Sequence, residues 1–306
     1  MKPSKKIRCA SLLVTLSLIF LALPSSVMAA QAPVNLGTTS SFAVLAGTTI
    51  TNIGTSTING DAGGNVGLFP GSDFTGLETI TISGAVHLND AVASVAQNDL
   101  VIAYNDAAGR TPVTRIAAEL GNTTLKPGVY DSAEGFFQIT GTLTLDAEGD
   151  PDGVFVFLTQ SSLITAPDSN VNMINSARYC RTFWQVGSSA TLGTNSHFVG
   201  HIFALTSISA QTGATVQGQL MARNGAVTLD SNTITNGICA SAATPTPTVA
   251  AATAVPTAVV TTNEQDLTKT GESSNNLFIG LALLGLSAGM VILLRRKLSL
   301  SKVSEK

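Results

Sequence analysis

Apolar and polar positions alternate in short runs along residues 181–236, and the runs return in the same order. Arg181-Thr-Phe-Trp-Gln-Val, His201-Ile-Phe-Ala-Leu and Gln219-Leu-Met-Ala each reach a corner of small residues, Gly187-Ser188, Thr206-Ser207 and Asn224-Gly225, before a second short strand. Taking Phe183, Ile202 and Leu220 as equivalent gives repeats of 19 and 18 residues. A period near twenty, punctuated by turns, predicts a solenoid whose strands stack as rungs. Gly153-Val-Phe-Val-Phe-Leu and Ser41-Phe-Ala-Val-Leu-Ala fit the same template, but a long interruption separates them. The rungs are therefore not expected in simple chain order. A β-sandwich of short strands is the alternative for this pattern.

One segment changes period. Over residues 87–110, Leu88, Val92, Val95, Ala96, Leu100 and Ala103 recur at helical spacing, with Asn89 or Asp90 placed to cap and Gly109 to stop. This predicts one long amphipathic helix along a flank of the solenoid. The glycine-rich loop before it, residues 60–78, carries Phe69-Pro70 and Phe74 and is expected to cap an open end.

The two ends of the chain read differently. Residues 1–30 have a basic opening (Lys2, Lys5, Lys6, Arg8), an apolar core and the small-residue pattern Val27-Met-Ala29, which predict a secretory signal removed together with Cys9. Residues 31–240 form the body. Residues 241–276 begin with a Thr, Pro, Ala and Val stretch too poor in aromatics to make a core, the composition of an extended stalk. Residues 277–294 are apolar and are followed by Arg295-Arg-Lys297, so they predict a membrane helix with residues 295–306 as a cytoplasmic tail.

Charge narrows the chemistry. The body carries six Lys and Arg against fifteen Asp and Glu, a net of −9, which argues against nucleic acid. Cys180 and Cys239 are an even pair in an exported segment and are expected to be bridged; two thiols are too few for structural zinc. His197 and His201, four residues apart on one strand, lie too far apart to share a metal ion, and with His87 they are read as exposed strand histidines. The run Asp146-Ala-Glu-Gly-Asp-Pro-Asp152 lacks the later bidentate Glu of a helix-loop-helix calcium site and is read as a solvated turn. No catalytic cluster and no cofactor motif emerges.

The body resembles the ice-binding-like β-solenoid domains of exported microbial proteins. The resemblance covers about residues 35–239. It rests on Phe42-Ala-Val-Leu-Ala-Gly-Thr-Thr-Ile-Thr51, Asp99-Leu-Val-Ile-Ala-Tyr104, Leu125-Lys-Pro-Gly-Val-Tyr130, Phe183-Trp-Gln-Val-Gly-Ser-Ser-Ala-Thr191 and Asn224-Gly-Ala-Val-Thr-Leu-Asp230. It implies a mainly β fold: a right-handed, roughly triangular, discontinuous β-helix with the long helix along one side. The tail resembles a Gram-positive wall-sorting signal, with Leu267, Thr268, Lys269, Thr270 and Gly271 as the pentapeptide and Thr268 where Pro is usual. That resemblance implies a sortase partner and display at the cell surface, anchored to membrane or wall.

Fold does not settle function. Contact with an ice crystal needs a rigid array of hydroxyl and methyl groups, and threonine on a strand supplies both from a stiff side chain. Thr49-Ile-Thr51, Thr55-Ser-Thr57, Thr79-Ile-Thr81, Thr140-Gly-Thr142-Leu-Thr144 and Thr233-Ile-Thr235 alternate as such an array requires. Some members of the resembled family carry Thr, Ala or Gly, any residue, then Thr or Asn, and Thr212-Gly-Ala-Thr215 matches this; Thr194-Asn-Ser-His197 departs from it. The candidate ice-contact residues are Thr191, Thr194, Thr212, Thr215, Thr233 and Thr235, with Thr49, Thr51, Thr142 and Thr144 next. A surface adhesin or matrix protein that binds carbohydrate or another surface through the same scaffold is the second reading, and threonine is also simply a good exposed strand residue.

Overall fold

The computed structural model describes residues 31–239, and the signal, stalk, sorting-like motif, membrane helix and cytoplasmic tail expected from the sequence lie outside them. Among the described residues, twenty-two short strands pair in parallel and one α-helix flanks them. Among the described residues no helix is long and apolar enough to cross a membrane.

The strands fall into three stacks. The first runs β8 (Thr114–Ile116), β10 (Gly128–Ser132), β13 (Phe155–Thr159), β16 (Thr182–Val186), the second halves of β18 (His197–Ala204) and β20 (Thr215–Ala222), β1 (Phe42–Ala46), β4 (Asn65–Leu68) and β7 (Val86–Leu88). The second runs β11 (Phe137–Ile139), β14 (Leu163–Thr165), β17 (Ala190–Leu192), β19 (Ile208–Ala210), β21 (Val227–Asp230), β2 (Thr49–Ile53) and β5 (Asp73–Thr75). The third runs β9 (Thr124–Leu125), β12 (Thr142–Asp146), β15 (Asn170–Ile174), the first halves of β18 and β20, β22 (Thr233–Thr235), β3 (Ser56–Asn59) and β6 (Ile80–Ile82). A rung takes one strand from each stack. The rung of β1, β2 and β3 lies against the last rung of the chain, through Val44 beside Leu220 and Thr57 beside Thr233.

Burial follows from what covers each stack. In the second and third stacks buried and half-exposed residues alternate, as in β12 and β21, because one face meets the core and the other meets water. In the first stack β1, β13 and β16 are buried throughout, because α1 (Ala91–Ala108) covers their outer face. Asp90 caps this helix by accepting from the Ala93 N–H at 2.8 Å. Its buried side is Ala93, Ala96, Leu100, Ala103 and Ala107, with Gln97 and Tyr104. Small side chains let the helix approach the bulky outer face of the sheet, where Phe183, Phe203 and Met221 lie. Val92 and Val95, expected on that side, are 48% and 49% exposed, and Leu88 belongs to β7 rather than to the helix. Tyr104 fixes the helix from its other end, receiving the Gln185 amide at 2.6 Å under the Arg223 guanidinium.

Register corrects the sequence alignment by one residue. Trp184, not Phe183, stands beside Ile202, and Phe183 pairs with His201. A one-residue shift exchanges the two faces of a strand, so Trp184 fills the inner core while Phe183 packs under the helix. The inner column of the first stack is Tyr130, Phe157, Trp184, Ile202, Leu220 and Val44. Its repeat is 27 residues from Tyr130 to Phe157 to Trp184 and 18 from there to Ile202 and Leu220. Aromatic rings occupy the long rungs and aliphatic chains the short ones. Phe157 and Trp184 stack at 3.9 Å between centroids, and the Trp184 indole N–H donates to the Val199 carbonyl at 3.0 Å.

Residues 60–78 do not cap an end as a loop; β4 and β5 carry the ladder on through them, and Phe74 packs on the core. Cys180 and Cys239 are joined with Cα atoms 5.7 Å apart, tying the start of the fourth rung to the end of the described chain. A loop of this length contributes about 4 kcal/mol in the chain-entropy picture.

Removing the central ring of the inner column tests this packing. Trp184→Ala leaves a ring-sized void and an unpaired Val199 carbonyl, and is expected to lower stability by about 3–5 kcal/mol in denaturant unfolding. Phe183→Leu keeps most of the apolar contact under the helix and is expected to cost clearly less.

Candidate functional site

The corner between the second and third stacks places the side chains of both. Every rung turns there through a residue with positive φ: Asn122, Gly141, Asp168, Asn195, Gly213, Ser231, Gly54 and Gly76. Glycine and small polar side chains tolerate that conformation best. Repetition of one turn holds the strands before it in register.

The second stack therefore presents an ordered outward column: Ile164, Thr191, Ser209, Thr228, Thr51 and Thr75, each in register with the next. Between them the inward residues are buried. Among the described residues none of the five hydroxyls is held by a hydrogen bond within the protein. The residues two positions earlier are used differently. Ser189 and Ser207 accept the backbone N–H of Ser207 and Ala226 at 3.3 and 3.2 Å, which knits the corner.

The six threonines singled out from the sequence do not share a face. Thr191 is in the second-stack column, Thr194 and Thr212 lie at the corner, and Thr215, Thr233 and Thr235 project from the third stack. Several hydroxyls among them are engaged. Thr212 donates to Asp230 at 2.5 Å, Thr235 to Asn59 at 2.8 Å, and Thr215 meets His197 Nδ1 at 2.7 Å. Of the reserve candidates, Thr49 and Thr51 are on the second stack and Thr142 and Thr144 on the third. Ser209, Thr228 and Thr75 were missed. With the anchor right, seven residues after Phe157, Trp184, Ile202 and Val44 stand Ile164, Thr191, Ser209 and Thr51, which finds Ser209; Thr228 stands eight after Leu220 and Thr75 nine after Val66, outside that spacing. Counting from Phe183 breaks that constancy.

The histidines separate as well. His197 is exposed, but His201, expected to be exposed, is 2% exposed. β18 bends at Gly200 (φ 108°) and carries His201 into the first stack, in register with Phe183 on its covered outer face and 5.3 Å from that ring. Neither ring nitrogen has a hydrogen-bond partner within the described residues, and burial pushes the imidazole down to about 4, only partly opposed by Gln219. In the acidic turn Asp146 accepts from the Glu148 N–H at 2.8 Å and from Asn175 at 2.9 Å, Glu148 pairs with Lys126, and Asp152 with Arg181. Each carboxylate is thus committed to its own turn or to a neighbouring rung.

Parallel strands in three stacks, one flanking helix and a face of unengaged hydroxyls define a class of mainly β proteins built around a regular surface. Residues 44–235 match the family described as Ice-binding-like. An ice-binding protein of Nostoc sp. (strain HG1) is 44% identical over 203 residues, 66% of this chain and 73% of that protein. One of Flavobacterium frigoris (strain PS1) is 33% identical, with 66% and 76% covered. Ice-binding protein 1 of Shewanella frigidimarina is 35% identical, with 70% of this chain but 27% of that protein covered. The crystal structure of an ice binding protein from an Antarctic Biological Consortium superposes with a TM-score of 0.65 at 40% identity, over 68% of this chain and 93% of that one. The chain belongs to the Ice-binding-like family.

His201 makes a pH prediction. Its folded value is depressed below the usual 6.5, so the unfolded chain takes up the proton first and stability falls as pH falls. The loss should run from about pH 6.5 to pH 4 and reach roughly 3 kcal/mol, from the value of about 4. Asp90 and Asp146 are held below the usual carboxylate range by backbone N–H groups, so their losses come at lower pH. Denaturant unfolding across this window should show the slope, and His201→Leu should flatten it.

Proposed function

We propose that this chain is an exported ice-binding protein that meets ice through the outward column of the second stack. The observation that carries the reading is the register of Thr191, Ser209, Thr228, Thr51 and Thr75. Rungs about 4.8 Å apart, with same-face positions about 6.7 Å apart along each strand, form a grid whose order comes from the backbone. Threonine adds a methyl and a hydroxyl already fixed in place, so little ordering entropy is lost on contact. Ile164 and Ile53, 44% and 56% exposed, extend the surface with apolar groups. The third stack is a weaker match. Its column Thr215, Thr233, Thr57 and Thr81 is also in register, but it starts beside His197, and β18 and β20 bend away at Gly200 and Gly218.

The rungs wind as a right-handed, discontinuous β-helix, the hand favoured for parallel crossovers. Residues 1–30 direct export; residues 241–276 are a stalk; residues 277–294 span the membrane. The pentapeptide Leu267, Thr268, Lys269, Thr270 and Gly271 is offered to a sortase. The domain is displayed at the cell surface, where a tethered ice binder holds the cell to ice. No catalytic role and no cofactor is proposed.

Ice contact is a match over many weak contacts, so a bulky intruder at the centre should do disproportionate damage. The purified protein is expected to inhibit ice recrystallisation at micromolar concentration, and Thr228→Tyr to raise the required concentration on the order of tenfold while leaving the unfolding curve in place. If Thr57→Tyr has that effect and Thr228→Tyr does not, the third stack is the ice face; if the wild-type protein leaves ice growth unchanged, the ice reading fails. Deleting residues 267–306 should move the protein from the cell surface to the medium, and full-length protein found in the cytoplasm would end the export reading.

A further inference from the structure

Rung length changes from 27 residues to 18 between the third and fourth rungs, and the third stack shows the step. β12 and β15 pair over five residues, but β15 pairs with β18 only at Asn170 and His197. Beyond that point β18 bends at Gly200 and leaves for the first stack. β20 repeats the bend at Gly218, where a Cβ would stand 2.0 Å from the Gly200 carbonyl oxygen. The rest of β15 loses its neighbour on that side, and a cleft of about 440 Å³ opens along it. That volume falls in the range of small-ligand sites.

The polar part of the lining is made of amides, hydroxyls and one imidazole over apolar side chains. Asn170, Asn172 and Gln217 supply amides, His197 an imidazole and Thr215 a hydroxyl, and none of the lining residues is an acid, a lysine or an arginine. Asn172, His197 and Gln217 are exposed, whereas Val199 at the bend is 6% exposed and forms an apolar floor. His197 and Thr215, on adjacent rungs, hold each other at 2.7 Å, so the imidazole is positioned before any ligand arrives.

We propose that this cleft, between β15 and β18, is a binding site for a neutral glycan chain, separate from the ice-contact column. An amide offers a donor and an acceptor together, the pairing that vicinal hydroxyls of a sugar need. A charged ligand would be desolvated here with nothing of opposite sign to meet it. A crystal plane does not enter a concave cleft. The cleft has no carboxylates and no exposed Phe, Tyr or Trp, so recognition rests on the amides, the His197 imidazole and C–H contact with Val199. The proposal goes beyond the ice reading and stands or falls without it.

The test uses the intact protein at 20 °C, where no ice is present. Retention on cellulose and on chitin is measured, and titration calorimetry with cellohexaose and chitohexaose gives affinities. Binding to one of these glycans is expected, with His197→Ala and Gln217→Ala each weakening it about tenfold, the loss of one good hydrogen bond. Both side chains are exposed, and the unfolding curve checks that the fold is kept. Side-chain amide shifts of Asn172 and Gln217 in NMR titrations supply a readout that needs no variant. Thr228→Tyr should bind glycan as the wild type does, and the two cleft variants should inhibit ice recrystallisation as the wild type does. No binding to any of the four glycans, unchanged binding in the two variants, or preference for dextran sulfate over them overturns the proposal. So does loss of ice activity in the cleft variants, which would join the cleft to the ice surface.

Discussion

The inner column from Tyr130 through Phe157, Trp184, Ile202 and Leu220 to Val44 sets the rest of the molecule, because a parallel ladder allows each rung one register only. A slip of a single residue would bring the inner column out and the outer one in. The Phe157 and Trp184 rings, 3.9 Å apart, make such a slip costly at the wide end. The positive-φ corner makes it costly at the other side of the rung. Everything offered to solvent inherits that order. The hydroxyl column is regular because the buried one is.

Change of rung length divides the scaffold into two working regions. Long rungs leave the third stack with five-residue strands, β12 and β15, and short ones with three-residue stretches before Gly200 and Gly218. On the second stack no such step occurs, since its strands are short throughout the central rungs. The same sequence change that narrows the core from aromatic to aliphatic filling therefore roughens one face and leaves its neighbour even.

Much of this architecture was legible in the chain, and the failures have common causes. The stacking of short strands, the flanking helix with Asp90 at its cap and the pairing of Cys180 with Cys239 follow from local pattern and chemistry, which act over a few residues or through one bond. Phe183 and Trp184 are adjacent and both apolar, and a strand buried on both faces erases the alternation that would tell them apart. Val92 and Val95 are more hydrophobic than the alanines that pack, so hydrophobicity pointed to the wrong side of α1; steric fit against Phe183 and Phe203 decides it. His201 is brought by the bend at Gly200 onto the covered outer face of the first stack, beside Phe183, a backbone event that residue type alone does not show. The threonine candidates scattered because T-x-T marks a strand face without saying which of three stacks it belongs to.

The neighbours of β1 carry one more consequence. Asn236 reaches back with its amide to the carbonyls of Ser40 and Gly63, and Gln219 to those of Thr39 and Phe42. The earliest strands thus find their partners in the latest, across as many as 196 residues. During synthesis β1, β2 and β3 find β4, β5 and β6 on one side, but their other side stays open until β20, β21 and β22 exist. A chain with such distant pairings closes slowly and late. The order of assembly is written into the connectivity: the molecule stays open while it is being made and shuts only when its last rung arrives.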